Sequence, residues 1–187
     1  MGYYEIENLY KDQTILNMKE VYVMEKIHGT SAHVSYKSGR LGFFAGGGAH
    51  KPFLEHFDQE DLLKGFEAME VGDTSVIIYG ENYGGKIQGM SATYGKYQSF
   101  VAFDVKIGDW WLQRKDVENV AEKFEIDVVP VVGIGSLSKA VGMTRYSFKS
   151  RWGDFSAEGL VCRPSTELVC RNGKRVITKI KYKDFRK

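Results

Sequence analysis

Lys26 has the setting that a catalytic lysine needs. It lies in Met24-Glu25-Lys26-Ile27-His28-Gly29-Thr30, after the β-rich run Val21-Tyr22-Val23 and before a turn, with strand character resuming at Ala32-His33-Val34-Ser35-Tyr36. That places the amine at a strand end. A lysine becomes a nucleophile only after losing its proton, which desolvation or a neighbouring cation promotes. Lys179 and Lys181, two apart in a run expected to be a strand over 174–182, share one face and supply such cations. Taken alone, a lysine before a glycine turn fits an ordinary surface position at a bend better than a nucleophile.

Two acids have comparable placement. Glu81 ends the apolar run Ser75-Val76-Ile77-Ile78-Tyr79-Gly80-Glu81, and Glu158 opens Ala157-Glu158-Gly159-Leu160-Val161-Cys162-Arg163. Carboxylates there suit ribose hydroxyls or a hard metal ion, and equally suit plain solvation. Phe103 sits in Ser99-Phe100-Val101-Ala102-Phe103-Asp104-Val105, where a core phenylalanine is the commoner outcome. Gly46-Gly47-Gly48 reads as a flexible turn or a backbone nest for phosphate, the turn favoured. The histidines show no metal-ligand spacing.

The elements that must hold these residues follow from periodicity. Strands are expected at 21–26, 32–37 and 40–45, then at 75–81, 99–105, 127–132 and 157–163. Helical spacing appears over 53–69 and 115–125, with a short helix and a basic, aromatic connection within 136–152; residues 3–19 have no clear period. Short hairpins with interspersed helices and no regular β-α-β alternation indicate an α+β fold built on antiparallel sheets.

With 187 residues and ordinary composition the chain fits a single domain, 1–187. No apolar run is long enough for a membrane span, and the N-terminus lacks a secretory pattern, so the expected location is cytoplasmic, with Cys162 and Cys170 as reduced thiols. Charge is uneven. Residues 171–187 hold eight basic side chains against one acid, although the whole chain is only +2, which suggests a polyanion engaged from that end or a solvated basic tail.

Taken together and in order, Lys26 in EKIHGT, Glu81 in YGENYGG, Phe103-Asp104 in FVAFDV, Glu158 in AEGLVCRP, and Lys179 with Lys181 in ITKIKYKDF form a recognisable set. The set resembles the covalent nucleotidyltransferase superfamily of polynucleotide ligases and messenger-RNA capping enzymes, and within it the RNA ligase 2 family. The resemblance implies an ATP-grasp-like adenylation domain of antiparallel sheets and helices that forms a lysyl-AMP from ATP. AMP would pass to an RNA 5′-phosphate, and that end would then be joined to a 3′-hydroxyl. It also implies that Lys26 is the nucleophile, with Lys179 and Lys181 catalytic beside it. Glu25, Lys26, Ile27, Glu81, Phe103, Glu158, Lys179 and Lys181 would bind ATP, with Phe103 stacked on adenine. Glu81 and Glu158 would hold Mg2+ or Mn2+ directly or through water.

The sequence departs from the family pattern in places. Where an arginine is usual after the second strand, this chain has Phe44-Ala45-Gly46-Gly47-Gly48, and Ser31 stands where asparagine is common. Arg40 or Lys51 are expected to reach nucleic acid instead, together with Arg171, Lys174 and Arg175. The chain stops six residues after Lys181, so no C-terminal accessory domain is expected within it, and a protein partner could complete the grip on RNA. The rival readings are a small ATP-dependent DNA ligase, a capping-type guanylyltransferase, and a non-catalytic nucleic-acid-binding module.

Overall fold

The computed structural model describes residues 2–186. In chain order its first elements are β1 (Val21–Lys26), β2 (Thr30–Lys37), β3 (Arg40–Phe44), α1 (His50–Leu54), α2 (Gln59–Glu67), β4 (Val76–Tyr83), β5 (Ser99–Ile107) and β6 (Trp110–Trp111). They are followed by α3 (Arg114–Lys123), β7 (Val131–Gly135), α4 (Leu137–Arg145), β8 (Gly159–Pro164) and β9 (Thr178–Lys181). The fold is α+β with antiparallel sheets, as its hairpins and interspersed helices indicated. The chain forms two compact units, one made of His28–Val128 with the first residues through Tyr3, the other of Tyr4–Ile27 with the chain from Val129 onward.

The first unit is a five-stranded sheet in the order β3-β2-β4-β5-β6, antiparallel throughout. Alternation decides which side is dry. Ala32, Val34 and Tyr36 of β2, with Val76 and Ile78 of β4, enter a core completed by Phe53, Leu62, Phe66, Val117 and Ala121 from the helices. The Asp58 carboxylate caps α2 by accepting from the amides of Glu60 at 2.9 Å and Asp61 at 3.1 Å. Between β4 and β5 the register slips: Tyr79 faces Asp104 and Gly80 faces Ala102, leaving Phe103 as the extra residue of a bulge.

The second unit is a four-stranded antiparallel sheet, β7-β1-β8-β9. Val21 and Val23 of β1, Leu160 and Cys162 of β8 and Ile180 of β9 bury one face, against Leu137 and Ala140 of α4. The lead-in is tied to the last strand, for Lys179 N donates to Glu7 O at 3.0 Å and Leu9 N to Lys179 O at 3.1 Å. Ile15, on a 3-10 turn at Thr14–Asn17, reaches the same core.

Some boundaries differ from expectation for local reasons. The region over 53–69, read as one or two helices, forms two, α1 and α2, the second started by Asp58. The strand expected at 127–132 begins only at Val131, and the expected 174–182 strand shrinks to β9. Residues before β9 are held in a turn in which Lys174 N donates to the Asn172 side chain, and Tyr182 begins a 3-10 turn after it. The two-residue β6 had no sequence signal. No helix among the described residues is long and apolar enough to cross a membrane.

Candidate active site

Lys26 ends β1 opposite Gly159 of β8. Since Val21, Val23 and Glu25 alternate toward the buried side, Lys26 projects from the other. Its ammonium donates to Glu158 Oε2 at 2.8 Å and to the Ile27 carbonyl at 3.3 Å. Lys181 Nζ lies 3.3 Å from Glu158 Oε1, so one carboxylate serves two ammonium groups. All three side chains are about one-fifth exposed, which strengthens their electrostatics while keeping them reachable. With two cations to one anion, the cluster keeps a net positive charge suited to phosphate.

Gly159 makes this convergence possible. A Cβ there would stand 2.1 Å from the Ile180 carbonyl oxygen and 2.8 Å from Lys181 Cα, so any larger residue would push β9 away. Lys179 shares the face of Lys181 and is held by Glu5 at 3.2 Å. Glu25 points the other way and is buried, its carboxylate accepting from Ser150 Oγ at 2.6 Å and Arg151 N at 2.8 Å. The Ile27 side chain is buried too. Both flanks of Lys26 are thus structural anchors through their side chains.

The remaining expected ligand residues lie on the first unit. Glu81 of β4 pairs with Ser31 of β2, and its Oε1 accepts from the Gly29 amide at 3.0 Å, fixing the turn that follows Lys26. Phe103, displaced by the bulge, meets the Tyr3 ring edge-on at 4.8 Å. Tyr3 donates its hydroxyl to buried Asp104 at 2.6 Å. Burial, reinforced by the Asp104 charge, raises the Tyr79 hydroxyl pKa. On the same sheet His33 stacks on Phe44, and burial pushes its pKa down to about 4, so it is neutral.

The glycine run is a packed turn. Gly47 N donates to Thr30 Oγ1 at 2.9 Å and Gly48 N to the Ala45 carbonyl at 3.1 Å, committing two amides that a phosphate nest would need. Gly46 takes a left-handed φ of 61°, and a Cβ there would meet the Ser31 carbonyl oxygen at 2.3 Å. Arg40, beside the hairpin turn, and Lys51, on α1, are exposed, as are Arg171 and Lys174. Arg175 corrects an expectation: it is buried against Glu167, itself also near Arg163, and is unavailable to nucleic acid. The need to neutralise a half-buried glutamate explains its position.

No group of three or more His, Cys, Asp or Glu side chains among the described residues forms a metal cage. Glu158 in the second unit and Glu81 in the first each offer carboxylate oxygens, the donors that Mg2+ or Mn2+ prefers. Cys162 and Cys170 are free thiols. The contributions of Glu5, Tyr3 and Ser150 escaped the sequence reading, for each is an ordinary residue whose partner is remote in the chain.

Comparison with known proteins matches the RNA ligase family model over residues 19–181. A comparison with curated protein sequences found no match. Among solved structures, Naegleria gruberi RNA ligase with PPi superposes with a TM-score of 0.75 at 17% identity, over 99% of this chain and 57% of that one. A variant of that ligase with ATP and Mn gives 0.74 at 18% identity, over 97% and 56%. Another variant, with AMP and Mn, gives 0.74 at 17%, over 99% and 57%. This chain thus spans little more than half the length of those proteins, and at such identity the likeness establishes the fold. The family-model match covers most of the chain, from the approach to β1 through Lys181, and by it this protein belongs to the RNA ligase family.

Proposed function

We infer that the chain is an ATP-dependent RNA-joining adenylyltransferase that works through Lys26. The observation carrying this reading is the Glu158 carboxylate shared by Lys26 and Lys181 at the end of β1. After its ammonium gives up a proton to solvent, Lys26 attacks the α-phosphorus of ATP; an N–P bond forms, the α–β P–O bond breaks, pyrophosphate leaves, and the second amine proton passes to solvent. Lys181 and Lys179 carry fixed positive charge to the phosphates, where negative charge builds during transfer. A divalent metal, when bound, adds Lewis-acid stabilisation of the phosphate. Glu158 would orient Lys26 and contribute carboxylate oxygens toward the metal, while Glu81 would take ribose hydroxyls. Phe103 would stack on adenine. The AMP would then move to an RNA 5′-phosphate, and a 3′-hydroxyl would displace it to close the strand.

Intact-mass measurement after incubation with ATP and Mg2+ tests the first step. A single AMP adduct on the parent protein, absent from Lys26→Ala, is expected. An adduct retained by that variant removes Lys26 from the chemistry. Separate incubation of the adduct with 5′-phosphorylated RNA and DNA nicks distinguishes RNA from DNA joining.

A further inference from the structure

The connection between α4 and β8 holds a run that the chemistry above leaves unused: Arg145-Tyr146-Ser147-Phe148-Lys149-Ser150-Arg151-Trp152-Gly153-Asp154-Phe155. It contains three cations, four aromatics and one acid. Arg145, Lys149 and Arg151 are exposed, Tyr146 is 82% exposed, and the Arg145 guanidinium lies 5.9 Å from the Tyr146 ring centre.

The segment is also tied to β1 through its middle. From β1, the buried Glu25 carboxylate, adjacent to Lys26 in the chain, receives Ser150 Oγ and Arg151 N. From the β8 side, Ser150 N donates to Phe155 O at 2.8 Å and Ala157 N to Phe148 O at 2.9 Å, closing a hairpin whose second arm runs directly into Glu158. Ser147, with a left-handed φ of 63°, sets the bend that follows Tyr146. The hairpin is therefore held by Glu25, on the face of β1 opposite Lys26, and its second arm leads along the chain into Glu158.

We propose that this basic, aromatic hairpin is a contact surface for single-stranded RNA, with Arg145, Lys149 and Arg151 on phosphates and Tyr146 stacking on a base. It rests on the ligase reading above. Interleaved cations and exposed rings are what a sequence-tolerant single-strand contact requires. The Lys149–Asp154 pair at 3.0 Å is highly exposed and weak, so phosphate can displace it.

The test measures binding of a fluorescein-labelled, 5′-phosphorylated single-stranded RNA by anisotropy across a salt series, with AMP-adduct formation and thermal melting followed in parallel. The combined variant Arg145→Ala/Lys149→Ala/Arg151→Ala keeps the Arg151 amide bond to Glu25; it is expected to lower the salt slope by about two to three, roughly one per cation lost. Tyr146→Ala is expected to weaken binding at least about fivefold, and Asp154→Asn to tighten it. Adduct formation and melting should stay at parent levels in all three. RNA affinity and salt slope unchanged in the combined variant and Tyr146→Ala would overturn the proposal, as would affinity lost only together with thermal stability. Failure of the parent to form an adduct would instead strike the ligase reading, leaving the RNA-binding result to be judged separately.

Discussion

Glu158 holds Lys26 with one carboxylate oxygen and Lys181 with the other, at 2.8 and 3.3 Å. Replacing it with glutamine keeps the shape but removes the charge that organises both amines. Glu158→Gln and Lys181→Ala should each slow AMP-adduct formation roughly 100-fold, the scale of losing one preorganised group in a charged transition state. Time-resolved intact mass gives the rates, and parent-like rates in both variants would show the cluster to be a passive surface ion pair.

Arg175 should matter for folding and not for RNA. Its guanidinium is buried against Glu167, so Arg175→Ala leaves that carboxylate only the longer 3.9 Å contact with Arg163 and should cost about 3 kcal/mol in urea unfolding. Arg171→Ala/Lys174→Ala, both exposed, should leave stability within about 0.5 kcal/mol.

Burial keeps His33 neutral, its pKa at about 4 against an ordinary 6.5. A histidine whose folded pKa is depressed binds protons more readily when unfolded, so stability falls as pH drops below 6.5 and the loss levels off below 4. The expected loss from this residue is roughly 2 kcal/mol by pH 4.5. Urea midpoints at pH 7 and pH 4.5 for the parent and His33→Phe check it, the variant showing the smaller drop.

Thiol chemistry should separate the two cysteines. Burial pushes Cys162 up to about 12, whereas Cys170 is only half-buried. A chromogenic disulfide reagent at pH 8 should label one thiol quickly in native protein and two in urea. Rapid labelling of both in the native state would contradict the packing of β8.

The strands bearing Lys26, Glu81 and Phe103 were legible because each carries its own pattern of β-branched and aromatic residues against a turn. So was the shared face of Lys179 and Lys181, which follows from a two-residue period. The shared Glu158 was not, for nothing local joins residues 26 and 158, and pairing across such a gap is a property of the sheet. Nor was the bulge at Phe103, since a slipped register leaves no mark on composition. The glycines at 46–48 were visible, but that two of their amides are spent on Thr30 and Ala45 depends on tertiary packing. Arg175 misled because charge counted along the chain takes no account of which way a side chain turns.

Lys26 and Glu158 stand 132 residues apart, with the whole of His28–Val128 threaded between them as its own compact unit. During synthesis the amine therefore leaves the ribosome long before its carboxylate, and Lys181 follows later still. The intervening unit has its own core and can condense first, in keeping with domains folding as they emerge. The long loop that the Lys26–Glu158 contact closes must wait for β8. A chain interrupted anywhere before residue 158 would carry Lys26 without the carboxylate that holds it, and one interrupted before residue 181 would lack the second amine of the cluster.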